Sequence, residues 1–239
     1  MKLIPSLLIG LFFVALIVDC FFILYNMDSY RFITKPMLVP ILYVFMALQT
    51  GDTTHKRSKL LISFSLLFCF AGDYLLLNQD DKTYFTLGVT CFLLAQICYG
   101  IFFYRLKPFS GKRIIAIIVL SLFIVGYLAV LLSSLWKNIS GMGFEVPIVT
   151  YSLVIGFMVL TALYTAAGKR IRKLAWQNFV PGAILFLTSD TLLAVDKFYL
   201  YGDKGFQTST HLLFSIIVMV TYAFAQLLIV YGASRIMKK

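Results

Sequence analysis

Eight long apolar runs, separated by short polar or charged stretches, constrain the fold of this 239-residue chain more than any other feature. A run of 18 or more apolar residues is long enough to cross the hydrocarbon core of a bilayer as a helix. Hydrophobic residues make up 61% of the sequence and charged residues 13%, whereas soluble proteins are about 45–50% apolar. A soluble enzyme is therefore excluded, and the sequence predicts a polytopic membrane protein.

The apolar runs predict helices rather than strands, because lipid cannot satisfy the hydrogen-bonding groups of an open backbone. No alternating ten-residue pattern indicates a membrane β-barrel. We therefore predict an all-α polytopic membrane helix bundle, with residues 1–239 forming a single integral membrane domain. The first run resembles a signal peptide in its charge order, but it is too long and lacks a cleavage site, so we expect it to be retained. The eight predicted helices cover residues 3–25, 36–50, 60–78, 84–104, 113–135, 146–167, 178–196 and 209–233.

The basic residues are distributed unequally between the two sides of the predicted bundle. Eight spans place both termini on one side, and 15 of the 21 Lys and Arg residues fall on that side. Cytoplasmic loops carry an excess of Lys and Arg, so both termini are predicted to be cytoplasmic. The formal net charge of +11 then reflects membrane orientation. We expect the lipid bilayer as a partner and no nucleic acid, since no nucleic-acid-binding module is recognisable.

Two segments share a short pattern around an aspartate. Residues 67–76 read LFCFAGDYLL and residues 184–193 read ILFLTSDTLL. Their aspartates, Asp73 and Asp190, lie four segments apart, so the two helices run in the same direction and suggest a parallel four-plus-four repeat. Counted from the likely helix starts at Leu60 and Gln177, Asp73 and Asp190 each come 13 residues into the helix, which places both at the same depth.

Two ionisable side chains at matched depth predict a functional site. Burying a carboxylate in a span costs about 2.5–3.5 kcal/mol on insertion scales, so such a group normally faces the bundle interior or a wet cavity. The alternative interpretation is that Asp73 and Asp190 reach the headgroups at the nearby helix ends.

Other polar side chains accompany the two aspartates. Asp19 lies at a similar depth in the first span, where it can also be an interfacial carboxylate. Two helical stripes carry polar residues, and such stripes more often pack helices together than perform chemistry. The stripes are Gly88, Phe92, Gln96 and Tyr99 on the fourth segment, and His211, Ser215, Met219, Tyr222 and Gln226 on the eighth. As substrate-binding candidates we select Asp19, Tyr99, His211, Tyr222 and Gln226.

The cysteines, the histidines and the common catalytic sequence motifs do not indicate a further site. All four cysteines fall inside apolar runs, where they indicate small buried side chains rather than a disulfide framework. The two histidines lie on opposite sides of the membrane with no cysteine at ligand spacing, so we expect no zinc site. A phosphate-binding glycine loop, a nucleophile elbow and an HExxH pattern are all missing from the sequence. We therefore expect carboxylate chemistry without a metal or cofactor.

Five short segments carry a resemblance that spans most of the chain. They are Thr34-Lys35-Pro36, Gly72-Asp73-Tyr74-Leu75-Leu76, Leu87-Gly88 with Tyr99, Ser189-Asp190-Thr191-Leu192-Leu193, and Tyr222 with Ala225-Gln226-Leu227-Leu228. In order and spacing they resemble the lysoplasmalogenase family, the YhhN-type bacterial membrane proteins and their animal transmembrane relatives. Gln96 departs from the pattern, since many members carry a histidine before the tyrosine, and this weakens the case for catalysis at that position.

The resemblance implies an eight-helix hydrolase whose partner is a lysophospholipid. Its reaction would cleave the vinyl ether bond of a lysoplasmalogen, an alkenyl-glycerophosphocholine or -ethanolamine, to a fatty aldehyde and a glycerophospho-base. The matching positions make Asp73 and Asp190 the acidic residues and Lys35 the basic one. Lys35 is then the first choice to pair with the lipid phosphate, ahead of Arg31 and Lys82.

Such a reaction needs a proton donor and a water-activating base. A vinyl ether becomes electrophilic once its β-carbon is protonated to an oxocarbenium ion, as in the related states of glycosidases. Two carboxylates supply both roles if their surroundings keep one protonated and the other ionised. Either Asp73 or Asp190 can be the acid, with the other as the base.

Two other functions use the same features. Parallel repeats and intramembrane carboxylates also occur in proton-coupled carriers of small molecules or lipids, although the spans here have few Gly or Pro breaks. A lipid-binding membrane protein without catalysis would keep the pocket and not need two acids. The short loops and positive-inside bias are typical of a bacterial inner-membrane protein, and an endoplasmic reticulum protein would have the same pattern.

Overall fold

The computed structural model describes residues 3–51, 53–78, 81–106, 114–141, 143–200 and 208–238. This part of the chain is built from helices, and eight of its helical stretches are long and apolar enough to cross a membrane. The predicted all-α bundle with eight spans is confirmed, and the protein is an integral multi-pass membrane protein. Six of the basic residues counted in the comparison of the two sides lie outside the described residues: Lys2, Lys107, Lys112, Arg113, Lys204 and Lys239.

The eight spans follow the predicted order. Six simple helices come first: α1 (Leu3–Leu24), α2 (Asp28–Thr50), α3 (Lys56–Leu75), α4 (Lys82–Arg105), α5 (Ile114–Ile139) and α6 (Glu145–Ala167). The seventh span, α7, is composite: a helical turn (Arg172–Leu174), a π-helical segment (Ala175–Phe179), an α-helix (Val180–Val195) and a second π-helical segment (Asp196–Leu200). The last span is α8 (Thr208–Met237). A short 3₁₀ turn (Leu76–Asn78) extends α3.

Helix α2 begins eight residues earlier than predicted. The expected start at Pro36 is wrong, because Pro36 and Pro40 both lie inside a continuous helix that starts at Asp28. Membrane helices tolerate internal proline, since neighbouring helices and local adjustments satisfy the freed backbone carbonyls. As a result, Arg31, Thr34 and Lys35 lie on a helix and not on a connecting loop.

Helices α3 and α7 also begin earlier than predicted. Asp73 lies seventeen positions after Lys56, and Asp190 lies eighteen positions after Arg172. The two offsets therefore stay within one residue of each other. The π-helical segments of α7 were not predicted, because a π-turn changes the backbone pairing without changing the apolar pattern.

The helices form one packed bundle in which α5 is peripheral. The closest neighbours are α3 with α4, α7 with α8, α1 with α2, and α4 with α6, while α2 also packs against α3 and α8. Helix α5 contacts α6 and the second π-helical segment of α7, and its most apolar window is only 6% buried. The α2–α3 connection lies beside the end of α8, where Thr53 Oγ1 donates to the Met237 carbonyl over 2.8 Å. We call the opposite end of the bundle, where α1, α3 and α7 finish, the distal end.

Helices α3 and α4 approach closely beside Asp73. A Cβ on Gly72 would lie 2.7 Å from Cε2 of Phe92, and a Cβ on Gly88 would lie 2.8 Å from the Leu76 side chain. Only glycine at these positions leaves room for the ring of Phe92 and the side chain of Leu76. Both of those side chains form walls of the cavities described next.

Candidate functional site

A polar cavity of about 180 Å³ lies between α2, α3, α4, α7 and α8. It contains the two aspartates singled out from the sequence, together with the cationic side chains at the start of α2. The charged residues that line it are Arg31, Lys35, Asp73, Asp190 and Asp196. The structure therefore brings Asp73, Asp190 and Lys35 to one cavity, whereas each lies on a different helix.

Asp73 lies in the wall of this cavity that α3 and α8 form together. Its side chain is almost completely buried, with 1% exposed. The hydroxyl of Tyr222 donates to Asp73 Oδ2 over 2.7 Å. The ring of Tyr222 is held edge-on by Phe92 and Phe186, each with its centroid 5.7 Å away. This aromatic packing fixes the position from which Tyr222 donates to the carboxylate.

Asp190 is held by two side chains from different helices. Tyr151 of α6 and Gln96 of α4 both donate to Asp190 Oδ2, each over 2.6 Å. Gln96 Nε2 also donates to the hydroxyl oxygen of Tyr151 over 2.7 Å. The three groups form a closed triangle, so the position of one Asp190 oxygen is fixed by α4 and α6. Serine at position 189 anchors the same turn by donating to the Val218 carbonyl of α8.

An apolar cavity of about 270 Å³ lies between α4, α5, α6 and α7. Leucine side chains of α5 and apolar residues of α4 and α6 form most of its walls. At the distal end Phe85, Phe144 and Phe198 pack edge-on around it, with ring centroids 5.6 to 5.8 Å apart. Its lining is mostly apolar, and Asp190 is its charged member.

The two cavities meet at four residues. The shared lining residues are Leu76, Phe92, Asp190 and Leu193. Asp190 is the charged member of this set, and it therefore lies between an apolar space and a polar space. Asp73 lines the polar cavity and is not part of the apolar wall.

The other residues selected from the sequence lie around the polar cavity in different ways. Tyr222 lines it directly. Tyr99 and Gln226 lie behind it in a buried chain, in which Tyr99 Oη donates to Gln226 Oε1 over 2.6 Å and Gln226 Nε2 donates to Cys69 Sγ over 3.0 Å. These two residues support α3 one turn from Asp73 and do not line either cavity.

Asp19 and His211 each act on a residue that lines the polar cavity. Asp19 is fully buried; it accepts a hydrogen bond from Thr34 Oγ1 over 2.7 Å and pairs with Arg31 Nη2 over 3.5 Å. His211 Nδ1 lies 2.6 Å from Asp196 Oδ1. Neither Asp19 nor His211 lines the cavity itself.

Sequence reasoning missed or undervalued three residues of the site. Gln96 departs from the histidine expected at its position, which argues against a catalytic role, yet it contacts Asp190 directly. Tyr151 belongs to no repeat or stripe, so no sequence signal marks it. Asp196 lies six residues after Asp190, a spacing that does not share a face of a regular α-helix, so helical periodicity does not mark it.

Comparison with known proteins points to a membrane family. Over 176 residues the chain is 28% identical to a protein named lysoplasmalogenase TMEM86A from Bos taurus; the alignment covers 72% of this chain and 64% of that relative. The chain thus spans less than two thirds of the length of the relative. No solved structure matches the chain. Residues 30–233 match the sequence pattern of the YhhN family, and because this match covers most of the chain, the protein belongs to the YhhN family.

Proposed function

We propose that this protein hydrolyses the vinyl ether bond of lysoplasmalogens, releasing a fatty aldehyde and a glycerophospho-base. The observation that carries the proposal is the meeting of the apolar and polar cavities at Asp190. A lysolipid has an apolar chain and a charged headgroup, and its ether bond lies where the two join. The name of the bovine relative, a lysoplasmalogenase, supports the same reaction class.

The apolar cavity suits the alkenyl chain. Its walls are almost entirely apolar side chains of α4, α5 and α6. A chain that enters it places the vinyl ether next to Asp190, because Asp190 is the charged residue at the boundary.

The polar cavity suits the phosphate-bearing headgroup. Lys35 and Arg31 line it and carry positive charge, which pairs with phosphate. Asp19 and Thr34 orient this region, because Asp19 accepts from Thr34 and pairs with Arg31. Lys35 therefore remains the first candidate for the phosphate, and Arg31 becomes a second one. Lys82 does not line the polar cavity.

The two aspartates supply the chemistry. One transfers a proton to the β-carbon of the vinyl ether, and the other takes a proton from the water that attacks the resulting oxocarbenium ion. The hemiacetal that forms then collapses to the aldehyde and the free glycerol hydroxyl. An ester lysolipid has no vinyl carbon to protonate and is not a substrate for this route.

The test is aldehyde release by purified protein in detergent. Wild-type protein is incubated with a lysoplasmalogen or with the ester lysolipid of the same headgroup. Asp73→Asn and Asp190→Asn are expected to reduce aldehyde release by at least about a thousandfold, because each removes a proton-transfer group. Asp81→Asn is the matched control, since Asp81 caps α4 outside both cavities and asparagine also caps helices.

The outcomes separate the alternatives. Aldehyde from the vinyl ether lipid alone supports the proposal. Aldehyde from neither lipid, with folded protein, contradicts it and favours a transporter or a lipid-binding protein. Full activity in both cavity variants would contradict the two-carboxylate mechanism even if the wild-type protein releases aldehyde.

A further inference from the structure

We propose that Asp190 is the acid that protonates the alkenyl chain, that Asp73 is the base that activates water, and that Gln96 and Tyr151 are the positioning residues of the acid. This assignment rests on the proposed function above. The boundary between the two cavities supports the two roles, and the hydrogen bonds at Asp190 decide which of its oxygens carries the proton.

The hydrogen bonds at Asp190 decide which of its oxygens can carry a proton. Gln96 Nε2 directs its two N–H groups to Tyr151 Oη and to Asp190 Oδ2, over 2.7 and 2.6 Å. Because Tyr151 Oη accepts from Gln96, its one proton goes to Asp190 Oδ2 over 2.6 Å. Oδ2 thus receives two donors, and a proton on Oδ2 would have no acceptor among them. A neutral Asp190 therefore carries its proton on Oδ1.

The two cavities give the two aspartates different surroundings. Asp73 lines the polar cavity alone, together with Lys35 and Arg31, whereas Asp190 lines both cavities. The side chains that hydrogen-bond to Asp190 are Tyr151 and Gln96, which are uncharged. A carboxylic acid in apolar surroundings stays protonated, whereas a carboxylate in polar surroundings stays ionised. Asp190 borders the apolar cavity and Asp73 does not.

The cavities place each aspartate beside its reactant. The β-carbon belongs to the alkenyl chain, which enters the apolar cavity that Asp190 borders. Water and the headgroup occupy the polar cavity, which Asp73 lines. The acid thus faces the carbon that receives the proton, and the base faces the water that loses one.

Other titratable groups surround the pair on every neighbouring helix. They are Asp19 of α1, Arg31 and Lys35 of α2, Cys69 of α3, Tyr99 of α4, Tyr127 of α5, Tyr151 of α6, Asp196 of α7, and His211 and Tyr222 of α8. Asp196 pairs with His211, and Asp19 pairs with Arg31. Lys35 is therefore the cation of this set that is not paired with a carboxylate at ion-pair distance among the described residues.

The proton transfers balance over one turnover. Asp190 Oδ1–H gives its proton to the β-carbon, and the vinyl π-bond becomes the new C–H bond. Water then bonds to the oxocarbenium carbon while Asp73 takes one of its protons. In the collapse of the hemiacetal, Asp73 protonates the glycerol oxygen as the C–O bond breaks, and Asp190 takes the hemiacetal hydroxyl proton as the aldehyde forms. Both carboxyl groups return to their starting states, and one water is consumed.

The experiment compares two Tyr→Phe variants by the pH dependence of kcat. A bell-shaped profile has an acidic limb set by the base and an alkaline limb set by the acid. Removing a donor from a carboxylate disfavours its ionised form more than its neutral form, so the group holds its proton to higher pH. Tyr151→Phe is expected to move the alkaline limb up by about one pH unit, and Tyr222→Phe the acidic limb by a similar amount. Tyr127→Phe, which loses a contact to Thr191 Oγ1, is the matched control and should move neither limb.

The result that overturns the assignment is the opposite pairing of variants and limbs. It is also overturned if Tyr151→Phe and Tyr222→Phe leave both limbs unchanged while aldehyde release persists. That second outcome contradicts the assignment and leaves the proposed function standing. Absence of aldehyde release from the wild-type protein contradicts the proposed function itself.

A second measurement does not depend on turnover or on the tyrosine variants. Infrared spectra of the purified protein near neutral pH contain the C=O band of any protonated carboxylic acid. Subtracting the spectrum of each Asp→Asn variant from that of the wild-type protein shows which aspartate carries the proton. This band is expected in the wild-type protein and in Asp73→Asn, and it should be lost in Asp190→Asn. Loss of the band in Asp73→Asn and its retention in Asp190→Asn would reverse the two roles.

Discussion

Two tyrosine hydroxyls, one for each aspartate, define the candidate site at the scale of single residues. Tyr222 donates to Asp73 and Tyr151 donates to Asp190, over 2.7 and 2.6 Å. A buried carboxylate is stabilised by such donors, whose hydrogen bonds to charged groups contribute about 1.5–3 kcal/mol each. Of the two tyrosines, Tyr222 was selected from the sequence, because it lies on a polar helical stripe. Tyr151 lies on a helix whose other polar residues give no stripe, so its role emerges only from the packing of α6 against α7.

The ring of Phe92 occupies the space that a side chain at position 72 would need. A Cβ at this position would lie 2.7 Å from Phe92, a shared wall of both cavities. We expect Gly72→Ala to lower the free energy of unfolding by about 1–3 kcal/mol, as overpacking does, and to reduce aldehyde release by displacing Phe92. Thermal unfolding in detergent and the aldehyde assay measure the two effects.

Gly10→Ala is the matched control for Gly72→Ala. Gly10 lies on an exposed face of α1 with no atom within 4 Å of the added Cβ, so the same substitution should leave stability and activity intact. Equal stability of Gly72→Ala and the wild-type protein would contradict the close α3–α4 packing.

At the scale of helices, a polar residue on the preceding even-numbered helix comes at a similar sequence distance before each aspartate. Lys35 on α2 precedes Asp73 by 38 residues, and Tyr151 on α6 precedes Asp190 by 39. The helix pairs α3–α4 and α7–α8 both pack closely, whereas α5 contacts α6 less closely than α1 contacts α2. The four-plus-four repeat stays a prediction.

Helix α4 begins at a side-chain cap that can be tested separately. Asp81 Oδ1 accepts from the backbone N–H of Thr83 over 2.7 Å and of Tyr84 over 3.3 Å. These two hydrogen bonds, that from Thr83 N–H more than that from Tyr84 N–H, hold the pKa of Asp81 below its usual range. The resulting stabilisation is present above about pH 4, the pKa of the unfolded chain, and is lost as pH falls through the lower folded-state value.

We expect Asp81→Ala to lower the thermal unfolding midpoint at neutral pH, because two N–H groups lose their acceptor. The difference from the wild-type protein should shrink below about pH 4. Asp81→Asn keeps an acceptor oxygen and should unfold close to the wild-type protein at neutral pH. An Asp81→Ala variant as stable as the wild-type protein at neutral pH would show that the cap contributes nothing.

At the scale of the whole molecule, two cavities of different polarity share one wall. The apolar cavity depends on α5, which packs against α6 and the end of α7 and is otherwise exposed. A helix with few neighbours in the bundle can move away from α4 with little loss of contact. If the apolar cavity holds the alkenyl chain, we expect that chain to enter from the bilayer beside α5.

Filling the apolar cavity should change the preferred chain length. Val89 of α4 lines this cavity and not the polar one. We expect Val89→Phe to lower kcat/KM for a long-chain lysoplasmalogen at least about tenfold, because a chain that no longer fits loses about 1.4 kcal/mol or more of binding. The kcat/KM for a short-chain lysoplasmalogen should fall much less. Rates for a series of alkenyl chain lengths measure the change.

Leu87→Phe provides the comparison for Val89→Phe on the same helix. Leu87 is 50% exposed and lines neither cavity. The Leu87→Phe variant should therefore show the same preference for chain length as the wild-type protein. If Val89→Phe slows all chain lengths equally, the apolar cavity does not hold the alkenyl chain.

The membrane class, the eight spans and the position of two aspartates inside those spans can all be predicted from the sequence alone. Long apolar runs leave a chain no other way to satisfy its backbone, and a carboxylate inside such a run stands out because burial is costly. The bounds of α2 and α7 are harder to predict from the sequence, because proline and π-turns inside membrane helices do not interrupt the apolar pattern. Only the tertiary structure brought Gln96 and Tyr151 to Asp190 and placed Lys35 in the cavity with Asp73. These contacts join residues from different helices, and they depend on how the helices rotate and pack, which apolar patterns of single helices do not specify.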